Sequence, residues 1–232
     1  TGATGFVGRA LCGHLLANGV NVIGIARRVP PSSAHVVRGD VRDRERLESV
    51  FRRFRPTLVF HLAGDRARDG DASALPAALE VNALGTVNVV SCSAQFGCSR
   101  LVAVGTAEEY GPIATPFAED DREAPTSTYG ISKLAGTRLG LAAWRLGGIE
   151  VTVVRPTIAY GPGQAPDMFL PALLRSLVDG NPFAMTHGEQ TRDFLHIDDL
   201  VRGILRASTA PDAGNLIVNL GSGKSIPIRQ AA

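Results

Sequence analysis

Thr1-Gly2-Ala3-Thr4-Gly5-Phe6-Val7-Gly8 is the stretch that decides the fold. Its glycines stand three residues apart at the head of a segment, Val7 to Ala17, that places Leu11, Leu15 and Leu16 on one helical face before Asn18-Gly19 stops it. Glycine has no Cβ, so the backbone can approach a pyrophosphate, and that anion rests on the partial positive charge of a helix N-terminus. Spacing alone would equally suit a tight turn. The setting points to dinucleotide binding, because the motif opens a helix and an apolar strand, Val20 to Ala26, follows it. Gly2, Gly5, Phe6, Val7 and Gly8 are therefore candidate cofactor contacts.

Outward from this motif, strand and helix signals alternate. Asp43 to Phe54 carries Leu47, Val50, Phe51 and Phe54 at helical spacing and ends before Pro56. Leu58 to Ala63 reads as a strand, about Leu75 to Phe96 as a long helix and Leu101 to Gly105 as a strand. Tyr129 to Leu146 follows as a helix and Val151 to Arg155 as a strand. Continuous apolar strands between helices predict a parallel sheet covered on both faces. Residues 1–155 are expected to form a dinucleotide-binding domain and residues 156–232 part of a substrate-binding region. In the second part, Phe169 to Val178 reads as a helix, and Asn181 to Phe194 has room for a short hairpin. Asp198 is expected to cap a helix to Ala207, and Leu216 to Leu220 a strand returning to the sheet. The glycine turn requires a strand before it, and residues 225–232 look like the entry to a further helix, so both ends read as interrupted.

The 232 residues include 44% hydrophobic and 20% charged side chains with a net charge of +2, and no basic block, which disfavours nucleic acid. No apolar run approaches the ~18 residues of a membrane span and no signal-peptide pattern stands at Thr1, so membrane insertion is not expected. Cys12, Cys92 and Cys98 match no metal spacing and read as free thiols in a reducing, cytoplasmic setting. No metal ligands are assigned.

Two further patterns carry chemistry. The second strand ends Ala26-Arg27-Arg28 with no carboxylate to grip a ribose hydroxyl, and guanidinium groups suit a 2′-phosphate, which favours NADP over NAD. Tyr129 and Lys133 lie four residues apart, one turn along one helix face. A nearby cation favours the phenolate, so Tyr129 can exchange a proton near neutral pH. Thr106, at the end of the preceding strand, can hydrogen-bond the reacting oxygen.

With these residues in place, the chain from Thr1 to about Arg229 resembles the extended short-chain dehydrogenases, the nucleotide-sugar epimerase/dehydratase family. Gly39-Asp40-Val41 resembles the stretch whose aspartate meets the adenine. Phe60-His61-Leu62-Ala63-Gly64 resembles the strand end lining the cofactor, and Asn82 falls in the family's Asn-x-x-Gly-Thr stretch. Arg155-Pro156 resembles the turn into the substrate region. Gln190 to Phe194 resembles a segment whose arginine, here Arg192, holds the nucleotide phosphates. The resemblance implies a doubly wound (Rossmann) parallel sheet, a catalytic set of Thr106, Tyr129, Lys133 and Glu108, cofactor contacts that include Asp40, Val41, Asn82 and Pro156, and a homodimer through the two long helices.

The departures bear on the reaction. Gly105-Thr106-Ala107-Glu108-Glu109-Tyr110-Gly111 has Ala107 where 4,6-dehydratases carry an aspartate, and Ile158 stands where many relatives have a substrate-binding asparagine. Elimination of water looks impaired, whereas carbonyl reduction or epimerisation at C4 needs no such acid. The sequence thus points to a 4-keto-6-deoxysugar reductase or a 4-epimerase, with a 4,6-dehydratase and a non-catalytic dinucleotide sensor as the alternatives.

Overall fold

Strands of three to seven residues, most of them separated by helices, build the molecule, and the computed structural model describes residues 1–30, 33, 35–66, 71–145 and 148–231. Helix α1 (Phe6–Ala17) begins at Gly5 and stops at Asn18. Strand β1 is only Gly24–Ala26, shorter than its apolar run suggests, because Val20 and Ile23 are exposed. A short strand that the sequence pattern did not reveal, β2 (Val36–Arg38), pairs with it in parallel. Helix α2 (Arg44–Phe54) is capped by Asp43, whose carboxylate accepts the Arg46 amide at 2.9 Å.

Strand β3 (Leu58–His61) leads into the long helix, which is segmented. It runs from a 3-10 turn (Ala72–Ala74) through α3 (Leu75–Leu79) and a π-helical turn (Glu80–Leu84) into α4 (Gly85–Gln95). By length and mean hydropathy, 1.2, the stretch Ala72–Gln95 is long and apolar enough to cross a membrane, which corrects the expectation that no segment is. Half of it is buried inside the protein, and Asn82, Thr86 and Ser93 point into that interior, so it serves as a core helix. Strand β4 (Arg100–Val104), helix α5 (Thr128–Arg145) and strand β5 (Glu150–Pro156) follow. The expected α5 terminus at Leu146 lies outside the described residues.

Strands β3, β4 and β5 pair in parallel, and β8 (Ile217–Leu220) adds a fourth parallel strand beside β5, with Val153 opposite Ile217. Residues 1–3 join this sheet to the β1–β2 pair. The Leu62 amide donates to the Thr1 carbonyl and the Ala3 amide to the Ile25 carbonyl. Side chains alternate along the strands and bury both faces. Leu101, Ala103, Val151 and Val153 pack with α2 and α4, while Val102 and Val154 pack with Leu11 of α1 and Leu200 and Ile204 of α7 (Ile197–Thr209). The result is the doubly wound parallel sheet that the sequence implied. A smaller mixed sheet orders β6 (Ile158–Tyr160), β7 (Thr191–His196) and β9 (Ser225–Pro227), with α6 (Phe169–Val178) between β6 and β7 in the chain.

Two local expectations are corrected here. Among the described residues 181–194 hold no hairpin, since β7 pairs in parallel with β6 and antiparallel with β9, partners about thirty residues away in sequence. The cap of α7 is His196, whose Nδ1 accepts the Asp198 amide at 3.3 Å, and Asp198 lies within the first turn. Residues 225–231 form β9 and then the single turn α8 (Ile228–Ala231).

Candidate active site

The carboxyl ends of the parallel strands carry the candidate residues. Gly2 sits at φ +72°, and a Cβ on it would lie 2.6 Å from the Ala63 nitrogen, so only glycine lets the loop lie against Leu62-Ala63-Gly64 after β3. Gly8 is equally tight, with a Cβ position 2.1 Å from the Gly2 carbonyl oxygen. Gly5 caps α1 without a side-chain bond, which leaves the first-turn amides of Phe6, Val7 and Gly8 uncapped. These residues fit the pyrophosphate of a dinucleotide.

On the β1–β2 side, Arg27, Arg38, Gly39, Asp40, Asp43 and Arg46 line a cleft of about 510 Å³. Arg28 is exposed and not in that lining, so of the two expected arginines Arg27 faces the cleft, joined by Arg38 and Arg46, which sequence reading missed. Arg42 pairs with Asp40 at 2.8 Å and holds its carboxyl below the usual range, while Val41 is buried beneath. Asn82 is also interior. Its Oδ1 accepts the Asp65 amide at 2.7 Å, and its Nδ2 donates to the Asp65 carbonyl at 2.7 Å and to Ser132 Oγ at 2.9 Å. The π-helical turn places it there, clamping the loop after β3 to α5.

The catalytic candidates meet where β4 ends. Lys133 is buried, and among the described residues its one hydrogen bond runs from Nζ to the Val104 carbonyl at 2.6 Å. A Cβ on Gly64 would lie 3.9 Å from that ammonium, so the strand end and the helix converge. Burial lowers the Lys133 pKa, and the Glu109 charge opposes the shift. Thr106 opens the 3-10 turn Ala107–Glu109, and its hydroxyl oxygen accepts the Glu108 amide at 3.3 Å, leaving the hydroxyl proton free to donate. Glu108 is exposed at the rim, its carboxylate accepting from the Ser127 hydroxyl at 2.7 Å.

Tyr129 is half-buried one turn before Lys133. Its phenol is pushed well above the ordinary range by burial, then by the charges of Glu108 and Glu109, with Arg66 acting the other way. Lys133, which the sequence placed beside this phenol, is not among the groups that act on it most. Pro156 ends β5 opposite Leu220. Arg192 is exposed on β7, where its Nη1 donates to the Thr191 carbonyl at 2.8 Å and among the described residues to none of the catalytic groups.

Two residues that sequence reading passed over lie directly beneath this set. Glu109 and Arg155 are both fully buried and form an ion pair at 2.7 Å. The readable signal was Thr106-x-x-Glu109, a capping box, in which the Glu109 carboxylate returns to the Thr106 amide. His61, in the strand end that the resemblance singled out, is buried too: burial, chiefly, and the Lys133 charge hold its imidazole neutral, and its Nε2 contacts Thr86 at 3.0 Å.

Residues 1–221 match the model of the NAD dependent epimerase/dehydratase family. The chain is 32% identical over 191 residues to a UDP-glucuronate 4-epimerase of Thermodesulfobacterium geofontis, covering 80% of this chain and 58% of that protein. It is 32% identical over 170 residues to a dTDP-glucose 4,6-dehydratase of Streptomyces griseus, covering 72% and 52%. The chain thus spans little more than half the length of these two relatives. A solved structure of MoeE5 in complex with UDP-glucose and NAD superposes with a TM-score of 0.88 at 33% identity, covering 99% of this chain and 77% of that one.

Proposed function

Because the chain belongs to the NAD dependent epimerase/dehydratase family, we propose that it is an NAD(P)-dependent oxidoreductase acting at C4 of a nucleotide sugar, as a 4-keto-6-deoxysugar reductase or a 4-epimerase. The observation that carries this reading is the buried Lys133 ammonium. A buried cation with three donors is costly unless they are used, yet among the described residues one bond, to Val104, engages it. Its other donors suit the ribose hydroxyls of a dinucleotide seated on the Gly2–Gly8 cradle. The dinucleotide would supply the hydride-exchanging ring.

The protein's own part is proton transfer and alignment. Thr106 keeps its proton and offers a hydrogen bond to the sugar oxygen, which fixes its direction. Tyr129, held protonated, gives its proton to that oxygen as a C4 carbonyl becomes an alcohol, and takes it back in the reverse direction. Glu108 stands at the rim, where it meets substrate. The dehydratase reading retains support from Glu108 and from the Streptomyces griseus relative, but Ala107 offers no acid to a departing hydroxyl. Nicotinamide absorbance, followed while nucleotide sugars and their 4-keto derivatives are added in turn, separates the forms. A net change with a 4-keto compound marks the reductase. Product without net change marks a form that returns its hydride, and C4 inverted with the 6-hydroxyl retained then marks the epimerase rather than the dehydratase. Product from neither class sinks the reading.

Cofactor choice is part of the proposal. Arg27 and Arg38 face one cleft, and guanidinium groups meet a 2′-phosphate with charge-assisted bonds. NADP(H) is expected to bind more tightly than NAD(H), and Ala26→Asp with Arg27→Ser to reverse the order. Fluorescence titration of both cofactors checks this, and equal or tighter NAD(H) binding by the unaltered protein would refute it. MoeE5 is in complex with NAD, so the preference rests on this cleft.

Arg192 is proposed as a clamp on the nucleotide phosphates. Charge-assisted bonds of ~1.5–3 kcal/mol predict that Arg192→Ala raises KM about ten- to a hundred-fold with little change in kcat. An unchanged KM would leave Arg192 a surface side chain. A homodimer through the long helices completes the proposal, and Leu84, Ile131 and Leu139 leave exposed apolar side chains on them.

A further inference from the structure

The pair beneath the site does more than fill space. Arg155 of β5 directs Nε and Nη2 at Glu109 Oε2, at 2.8 and 2.7 Å, and Nη2 also meets Glu123 Oε1 at 2.8 Å. The other oxygen of Glu109 is thereby left for two partners. Oε1 accepts the Thr106 amide at 3.0 Å and the Thr137 hydroxyl at 3.1 Å. Thr137 lies one turn beyond Lys133 and two beyond Tyr129, so all three share one face of α5. A Cβ on Gly105 would lie 2.5 Å from Oε1, and the glycine before Thr106 is what admits the carboxylate. Arg155 is fixed in turn, its guanidinium 4.5 Å from the centre of the Tyr110 ring, whose hydroxyl donates to Asn219 of β8 at 2.8 Å.

We infer that Glu109, locked by Arg155, is a positioning residue for the reaction, pinning the turn of Thr106 and Glu108 to the helix face of Tyr129 and Lys133 and keeping a fixed negative charge under both. This rests on the proposed role of Tyr129. Facing Glu109 are Lys133 and Thr137 from α5 and Arg155 from β5; beyond Arg155 stands Glu123, which also pairs with Arg138. Glu108 and Tyr110 lie on its own turn, and Arg66, after β3, also acts on Tyr129. The Glu109 charge opposes loss of the Tyr129 proton and favours the charged form of Lys133, so it supports the acid and the cation together.

The test uses the dinucleotide-saturated protein labelled at the tyrosine ring carbon bearing oxygen. Its three tyrosine signals are followed by NMR against pH, with Tyr129 assigned by loss of its signal in Tyr129→Phe. Glu109→Gln keeps one acceptor oxygen for the Thr106 amide and the Thr137 hydroxyl, turns its NH2 toward Arg155 and removes the charge, so the Tyr129 titration should begin about one pH unit lower. Glu109→Ala should also speed amide exchange at residues 105–110 at least about tenfold, while Glu109→Gln leaves it near wild type. If Glu109→Gln folds poorly because Arg155 is left unpaired, Glu109→Gln with Arg155→Met removes both charges with no net change, and the loss of the lock is then read as faster exchange at residues 105–110 than in wild type. A Tyr129 titration superimposable on wild type, or unchanged exchange in Glu109→Ala, overturns the inference. A shifted titration in a protein that converts no nucleotide sugar would sink the proposed reaction and leave the Glu109 coupling standing.

Discussion

Replacing Tyr129 with phenylalanine is expected to lower turnover about 10²- to 10⁴-fold, the contribution usual for a positioned acid–base group. The substitution removes one oxygen and keeps the ring. Tyr129 lies in a helix whose proposed cofactor anchor is Lys133, one turn on, so dinucleotide affinity should stay within a few-fold. Steady-state rates with the responsive nucleotide sugar, beside a titration of the cofactor, check both halves. If Tyr129→Phe retains most of its activity, the proton passes through another group, and Glu108 at the rim becomes the candidate.

Gly2→Ala should be nearly as severe, through binding. The new methyl would lie 2.6 Å from the Ala63 backbone nitrogen, at a φ of +72° that L-residues avoid. Backbone strain of ~1–3 kcal/mol and overpacking of ~1–3 kcal/mol would both fall on the cradle. Dinucleotide affinity is therefore expected to drop at least about a hundred-fold, with a lower Tm. Isothermal titration and a thermal melt measure the two. Unchanged affinity would mean that the dinucleotide binds elsewhere.

Sequence made the cradle, α2 and the parallel core legible because each leaves a local mark. The glycines recur at fixed spacing before a helix, and Leu47, Val50 and Phe51 fall on one face of α2 and are buried there. The Tyr129–Lys133 pair was legible for the same reason, being one helical turn long. What stayed hidden depends on partners distant in sequence. Strands β2, β6 and β9 are three residues each, too short to show a period, and exist because a neighbour offers hydrogen bonds. The Glu109–Arg155 pair joins residues 46 apart, and two charged side chains in separate segments give no sign that folding buries them together. The upward push on the Tyr129 phenol was hidden likewise. Its sequence neighbour Lys133 bonds to Val104, whereas Glu108 and Glu109 come from a different segment to act on the phenol.

The most direct test of the catalytic account is to supply the protein with NADP(H) or NAD(H) and a panel of nucleotide sugars and 4-keto derivatives, and to examine C4 of the recovered sugars by NMR. The account predicts that one class returns with C4 reduced or inverted, and that the change disappears in Tyr129→Phe while the cofactor still binds. Tight dinucleotide binding with C4 unaltered in every sugar would contradict it, and would make the chain a binding protein on an enzyme's fold.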